Sequence, residues 1–325
     1  MSSDGHLAEA VCGFFSNGGR SCYVVPLDPS LPPLEALEGD AQAGTGLAGL
    51  EELSEVSMVA VPELWAMADK ADAATLMNAV VRHCATKGDR VAILDAPPDI
   101  APDRLLDHLP ALSGDTSFAT VYYPWVTVPG LAGTERTVPP CGHIAGVWAR
   151  TDTERGVFKP PANQLLRGVS GLAYTIEDHQ NGALNERGIN CSRVVPGQDI
   201  RVWGARTQAD ADQSDWRYVN VRRMACYLED SIKQSTGWAA FEPNDERLWS
   251  TLRGAITEFL TDQWRKGAMP GARPEQAFTV QCDSTNNTPP TIQQNVVRCD
   301  IGIAPTRPGE FVYFTVTQAV GAPRP

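Results

Sequence analysis

The sequence predicts an α/β fold followed by a smaller α+β segment, and three observations carry that expectation. Short apolar runs alternate with helical patterns through the first half, which argues for a mostly parallel sheet with helices on both faces. A short polar stretch, Gln208 to Asp215, interrupts the pattern. Beyond it, an amphipathic helix precedes three runs of strand composition.

Leu7 to Phe15 has helical periodicity, with Ser3 or Asp4 as N-cap and Gly18-Gly19 as the stop. Cys22 to Val25 reads as a buried strand, and Pro26 to Gly49 as a loop with a short helix near Leu50. Val56 to Val61 is the next strand, Leu64 to His83 a long helix, and Arg90 to Asp95 a third strand. Pro102 to Leu109 reads as a weak helix and Phe118 to Tyr123 as a fourth strand. Pro124 to Pro140 reads as an exposed excursion, Gly142 to Asp152 as a helix, and Val194 to Trp203 as strand. These assignments place a first domain at residues 1–207 and a second at 216–325.

In the second part, Val221, Met224, Ala225, Leu228 and Ile232 lie at helical spacing, with Asn220 as cap. A stronger helix follows Asn244, whose side chain can accept from a free N–H of the first turn. Asp245 and Glu246 sit at its positive end, Arg265 and Lys266 at its negative end, and Gly267 closes it. Leu248, Trp249, Leu252, Ile256, Phe259, Leu260 and Trp264 form its apolar stripe. Strands are expected at Phe278 to Cys282, Val296 to Ile303 and Phe311 to Thr317.

Composition narrows the function classes. Of 325 residues, 42% are hydrophobic, enough for a sizeable core, and the net charge of -12 works against a phosphate-binding surface. No apolar run reaches the roughly 18 residues a transmembrane helix needs, so neither nucleic acid nor membrane insertion is expected. Between Pro26 and Asp69 there are acidic residues and no Lys, Arg or His, an acidic run that reads as solvated surface. The eight cysteines are scattered singly, which reads as buried thiols in a reducing compartment and favours cytoplasmic assembly.

The chemistry-bearing patterns are missing or incomplete. Gly18-Gly19 follows a helix and precedes a strand, the wrong order for a phosphate loop. Gly168-Val169-Ser170-Gly171 has its second glycine one place early for a nucleophile elbow. His83-Cys84, and Cys141 with His143, offer two ligands each where zinc takes three or four. Glu51/Glu52 and Asp245/Glu246 are chain neighbours and do not converge as an acid/base dyad requires. The expectation is a chain that is not an enzyme and takes no cofactor or metal.

Five stretches carry a resemblance. Gly146-Val147-Trp148-Ala149-Arg150-Thr151-Asp152 runs on through Arg155-Gly156-Val157 to Lys159-Pro160-Pro161-Ala162-Asn163. Ile200-Arg201-Val202-Trp203-Gly204-Ala205-Arg206-Thr207 follows, then Trp216-Arg217-Tyr218-Val219-Asn220-Val221-Arg222-Arg223 and the turn Phe241-Glu242-Pro243-Asn244. Near the start stand Gly13-Phe14-Phe15 and Asn17-Gly18-Gly19, then Tyr23-Val24-Val25. In order and spacing these resemble the signatures of contractile tail sheath proteins.

The resemblance implies a three-layer, subtilisin-like sheath domain without protease chemistry, followed by the family's α+β C-terminal domain. It implies a subunit that polymerises helically around an inner tube, exchanges strands with its neighbours, and contracts from a metastable extended state to drive the tube forward. The implied partners are other copies, the inner tube protein, and baseplate and terminator or cap proteins, in a phage tail or phage-tail-like injection particle. Phe311, Val312, Tyr313, Phe314, Thr315, Val316 and Thr317 are expected to form an inter-subunit strand arm. Arg247, Arg253, Arg265 and Lys266 are expected on a tube-facing helix. Arg150, Asp152, Arg155 and Lys159 are expected to fix a domain junction. Family members carry a segment ahead of the Phe14-Phe15 region; here the N-terminal arm is expected to be missing, and the sheet to lack strands that an upstream segment would contribute. The alternative readings are a shortened sheath-like paralogue or a tail-end or baseplate component, and, remotely, an α/β hydrolase.

Overall fold

The computed structural model describes residues 5–67, 73–130, 133–195, 197 and 199–309. Helix α1 (Leu7–Ser16) forms where the sequence predicts, with His6 at its N-cap. Its free N–H groups are met from elsewhere in the chain: Glu63 Oε1 accepts from His6 N at 2.5 Å and from Leu7 N at 2.9 Å. Ser3 and Asp4, the expected caps, lie outside the described residues; Glu63 supplies a long-range carboxylate placed by folding. Gly18, at φ +110°, ends the helix, in the left-handed region open to glycine.

Cys22 to Val25 is not a strand, contrary to expectation. The segment is irregular, and Tyr23 and Val24 are 52% and 55% exposed. A strand exists only when its N–H and C=O groups find a neighbouring ladder, and here the segment pairs with no described strand. Helix α2 (Pro33–Glu38) and a 3-10 turn at Ala48–Leu50 follow. Strand β1 (Met58–Ala60) leads to α3 (Leu64–Met67) and α4 (Ala73–Lys87), so the long helix expected from Leu64 is two described elements.

Strand β2 (Val91–Asp95) is buried along its whole length, and so is β3 (Ala119–Tyr123). Between them, Pro102–Asp107 is 3-10 helix, where a weak helix was expected. The excursion expected from Pro124 to Pro140 is instead a hairpin, β4 (Val126–Pro129) against β5 (Glu135–Val138), with Val126, Val128 and Val138 buried. Prolines and glycines punctuate this hairpin without preventing it, because Pro129 ends its strand.

Helix α5 (Cys141–Arg155) packs on α1 through small residues. A Cβ on Gly142 would fall 2.3 Å from the Ala10 carbonyl oxygen, and one on Gly146 2.3 Å from that of Phe14. The backbones touch, and only glycine fits. Strands β6 (Gln164–Leu165) and β7 (Gly171–Leu172), helix α6 (Asp178–Glu186), β8 (Ile189–Val194) and β9 (Ile200–Val202) complete this part. The strand expected over Val194 to Trp203 is thus an antiparallel pair whose first member begins earlier.

The main sheet has the order β1-β2-β3-β8-β9-β6. It is parallel from β1 to β8, with Val59 opposite Ala92, Ile93 opposite Thr120 and Tyr122 opposite Asn190. Strands β9 and β6 add antiparallel. Two of its buried polar side chains are paired: Thr120 Oγ1 donates to Ala92 O at 2.8 Å, and Asn190 bonds Arg206 through both its amide groups.

The polar stretch after Thr207 forms a 3-10 segment, Ala211–Trp216. Helix α7 (Val219–Ser235) begins after Tyr218, so Asn220 lies inside the first turn and is not the cap. Its side chain donates instead to Phe158 O at 2.9 Å and Thr306 O at 2.8 Å. Helix α8 (Glu246–Arg265) is capped by Asp245, one residue after the expected Asn244. Asp245 Oδ1 accepts from Arg247 N at 3.0 Å and Leu248 N at 3.1 Å. Asn244 serves Trp249, whose indole donates to its Oδ1 at 2.8 Å. Gly267, at φ +87°, closes the helix as expected. Strand β10 (Phe278–Gln281), the short α9 (Pro289–Gln293) and β11 (Asp300–Ile303) end the described chain, with β10 and β11 antiparallel. The strand expected at Phe311 to Thr317 lies outside the described residues.

One large apolar cluster fills the main sheet and its helices. Two smaller ones sit among α7, α8, β10 and β11.

Candidate functional site

The strongest polar constellation lies where α7 meets the first part of the chain. Arg223 and Asp152 form a two-pronged pair, Nη1 to Oδ1 at 2.8 Å and Nη2 to Oδ2 at 2.5 Å, and the Arg223 guanidinium lies 4.7 Å from the Trp148 ring centroid. Planar guanidinium matches planar carboxylate, and the ring stacks behind it. Its neighbour Arg222 is gripped between Phe118 at 4.1 Å and Trp216 at 3.7 Å, and donates to Ser117 Oγ. Burial pulls the Arg222 pKa down, opposed by Asp115, 3.8 Å away.

Of the four residues expected at a junction, the structure brings one, Asp152, into this region. Asp152 joins α5 to α7. Arg150 instead works within the first part, donating to Asn17 O at 2.8 Å and Leu165 O at 2.6 Å. Lys159 donates to Pro160 O next door, and Arg155 is exposed in the last turn of α5. Sequence reasoning passed over Arg222 and Arg223 as joining residues. Their adjacency to aromatic Trp216 and Tyr218 was the available signal.

The four cations expected on one helix face do not gather. Arg247 and Arg265 are exposed and share a face, but eighteen residues separate them, about 27 Å along the axis. Arg253 is half-buried and donates to Cys282 O at 3.1 Å. Lys266 is exposed and pairs with Asp262 at 2.6 Å.

A third feature runs along the free edge of the main sheet. Tyr23, Val24 and Val25 face Met58, Val59 and Ala60 across an apolar groove of about 730 Å³. Among the described residues, no strand pairs with the outer edge of β1. Unpaired strand edges recruit other strands. A fourth is the turn before α8, where Phe241 is fully exposed at φ +70° and Trp238 is 47% exposed. A bulky side chain in the left-handed region is strained.

The reactive side chains are placed as structural ones. Burial pushes the Cys191 and Cys226 thiols up to about 12, whereas a thiol nucleophile needs its pKa lowered. Ser170 donates to Thr127 O and Glu135 Oε1 beside strand β7, with no strand-to-helix elbow. Asp95 is buried at the end of β2, accepts from Cys141 N at 2.9 Å at the start of α5, and is pushed up to about 7 by burial. His143, in the first turn of α5, is pulled down to about 4 by burial. Among the described residues, no group of three or more His, Cys, Asp or Glu is placed to hold a metal ion, and no helix is long and apolar enough to cross a membrane.

Comparison with known proteins supplies the context for these surfaces. Residues 39–208 match the family model of the phage tail sheath protein central domain, and residues 211–319 that of the phage tail sheath C-terminal domain. The chain is 31% identical over 180 residues to a tail sheath protein of Vibrio phage KVP40, covering 54% of this chain and 26% of that protein. It is 29% identical over 192 residues to the tail sheath protein of Enterobacteria phage T4, covering 58% of this chain and 28% of that protein. The matched stretch thus spans about a quarter of those relatives. Among solved structures, a chain of the anti-feeding prophage (AFP) baseplate matches with TM-score 0.79 and 32% identity, over 98% of this chain and 83% of that one. A chain of an extracellular contractile injection system, the PVC sheath complex in its contracted state, matches with TM-score 0.77 and 30% identity, over 97% and 81%. The chain belongs to the phage tail sheath family.

Proposed function

We propose that this chain is the structural subunit of a contractile sheath. It polymerises helically around an inner tube and contracts from a metastable extended state, driving the tube forward in a phage tail or phage-tail-like injection particle. The observation that carries this reading is the likeness to the AFP and PVC chains over nearly the whole length. The subunit performs no catalysis and takes no cofactor; contraction draws on repacking into a lower-energy lattice. Its partners are other copies, the tube protein, and baseplate and terminator proteins.

The chain divides, on this reading, into a first domain over 1–207, three-layer and subtilisin-like in shape, and a second over 216–325. The two smaller clusters among α7, α8, β10 and β11 support the division, and the large cluster reaches across it to Val219 and Cys226 of α7. Arg150 and Asp152 fix the first domain and its junction, with Arg223 as the partner from α7. The tube-facing role falls to the exposed side of α8, where Arg247, Arg265 and Lys266 reach solvent and Arg253 braces the helix from behind. Phe311 to Thr317 act as the strand arm, leaving from a base anchored by Asn220 and by Thr306 N on Ala268 O at 3.4 Å. The open edge of β1 and the exposed Phe241 and Trp238 are further contact surfaces between subunits. Each backbone hydrogen bond in an added strand is worth about 1 kcal/mol net, so many together hold subunits while they move.

Negative-stain microscopy of the chain co-expressed with its tube partner tests the reading. Striated cylinders are expected; monomers under all conditions would overturn it. The AFP baseplate match supports a second reading, a sheath-like component at the tail end. That reading predicts single rings on the tube in place of cylinders. Truncation before Phe311 is expected to leave folded monomer; normal cylinders from that variant would remove the arm from the scheme.

A further inference from the structure

We propose that Cys282 and Cys299 are a redox modification site, a thiol pair set to close a disulfide that staples β10 to β11. The register carries it. The two strands pair from Phe278 opposite Ile303 to Gln281 opposite Asp300, and Cys282 and Cys299 are the next residue beyond each, where the same register extended by one rung sets them opposite. Residues facing each other across an antiparallel pair have Cα atoms about 4.5 or 5.5 Å apart, according to the rung. Both spacings lie within the roughly 4.4–6.8 Å that a disulfide spans.

Two further observations converge on the pair. Both cysteines are free thiols, and Cys282 is near enough to Cys299 to help push its thiol pKa up. They also share one small apolar cluster with Leu248, Trp249 and Leu252 of α8. The intervening loop is pre-folded: Asn287 is buried, donates to Arg298 O at 2.9 Å and accepts from Arg298 N at 2.7 Å. Closing the bond therefore asks for little rearrangement.

The oxidant is a small-molecule disulfide of the glutathione class. Cys299 is the less buried of the two and reacts first. Its thiolate attacks one sulfur of the small disulfide, forming a mixed disulfide and releasing one small thiol. Cys282, deprotonated, then attacks the Cys299 sulfur and releases the second. Two protein thiols and one small disulfide become one protein disulfide and two small thiols. Burial pushes the Cys299 thiol up, so closure is slow at neutral pH and speeds up as pH rises. The closed bond fixes the register of the two-stranded sheet and anchors it to α8. This site does not depend on the sheath reading.

The test uses the full chain, reduced and then exposed to graded ratios of oxidised to reduced glutathione. Remaining thiols are alkylated, and peptides are mapped by mass spectrometry alongside a thermal melt. The expected result is a Cys282–Cys299 linked peptide from native protein, forming faster at pH 9 than at pH 7, with Tm raised by about 5 °C. Cys299→Ser is expected to lose both the link and the Tm shift. The wild-type mapping stands alone if that variant does not fold. A glutathione adduct on Cys299 without closure, linkage only after denaturation, a link between Cys84 and Cys226 in its place, or an unchanged Tm would each overturn the proposal.

Discussion

The two parts of this chain hold themselves together by different means. The first has a sheet whose β2 and β3 are buried end to end, and one apolar cluster that reaches most of its elements. Some of its interior polar groups make long-range bonds, such as Asn17 Nδ2 to Arg167 O at 3.0 Å and Arg150 to Leu165 O. The second has a two-stranded sheet, two small clusters, and outward-facing β11 residues. A two-stranded ribbon is marginal unless something packs on it, and here α8 does. The lesson is that the second part depends on its neighbours: on the first part through Arg222 and Arg223, and on other copies through its strand arm and exposed turn, as proposed.

The sharpest way to break the comparison is to cut the link. Arg223→Ala strands Asp152 and opens the face of Trp148, and is expected to cost about 3–5 kcal/mol, as breaking a buried pair does. The two parts should then melt separately in calorimetry; a single unshifted transition would contradict the dependence. Next comes Leu260→Ala in the smaller cluster, where Leu260 is fully buried. A loss of about 2–4 kcal/mol is expected. Hydrogen exchange should rise in α7, α8, β10 and β11 while β2 and β3 keep their protection.

Asp95 and His143 test the first part alone. The folded-state pKa of Asp95 is raised to about 7 from 3.8, so its contribution is full below pH 3.8 and is lost as pH rises through 7. That of His143 is lowered to about 4 from 6.5, so its contribution is full above 6.5 and is lost as pH falls to 4. Asp95→Asn keeps an oxygen for Cys141 N–H and removes the charge. It should flatten the fall in stability between about pH 4 and 7, by denaturant melts at each pH; an unchanged slope would count against a buried charge. The smallest effect on folding is expected at Phe241. Phe241→Ala removes exposed surface only and should move monomer stability by less than about 0.5 kcal/mol. Reduced sedimentation of assembled material from that variant would place the turn at a contact; unchanged assembly would leave it as a bare turn.

Much of this was legible in the residues. The spacing of Leu248, Trp249, Leu252, Ile256 and Leu260 fixes α8 and its buried face, and the apolar runs at Val91 and Ala119 fix the central strands. Such elements carry their own period and need only a surface to bury against. The signature around Trp148 to Asp152 pointed to the family and to a structural role. Less legible was everything that rests on a partner distant in sequence. Tyr23-Val24-Val25 has the composition of a strand and is not one, because composition cannot supply the neighbouring ladder. The prolines and glycines of residues 124–140 suggested a loop, and tertiary pairing made a hairpin of them.

By itself, then, the sequence determined the alternation of strands and helices, the amphipathic helix of the second part, the missing catalytic motifs and the family likeness. Only the tertiary structure decided that Glu63 caps α1, that Arg223 holds Asp152, that the four cations near α8 do not form one patch, and that Cys282 and Cys299 share one cluster. The reason is physical. Periodicity and local caps are short-range properties written within a few residues. Ion pairs, strand partners and clustered thiols join residues far apart in sequence, and they exist only once packing has brought those residues together.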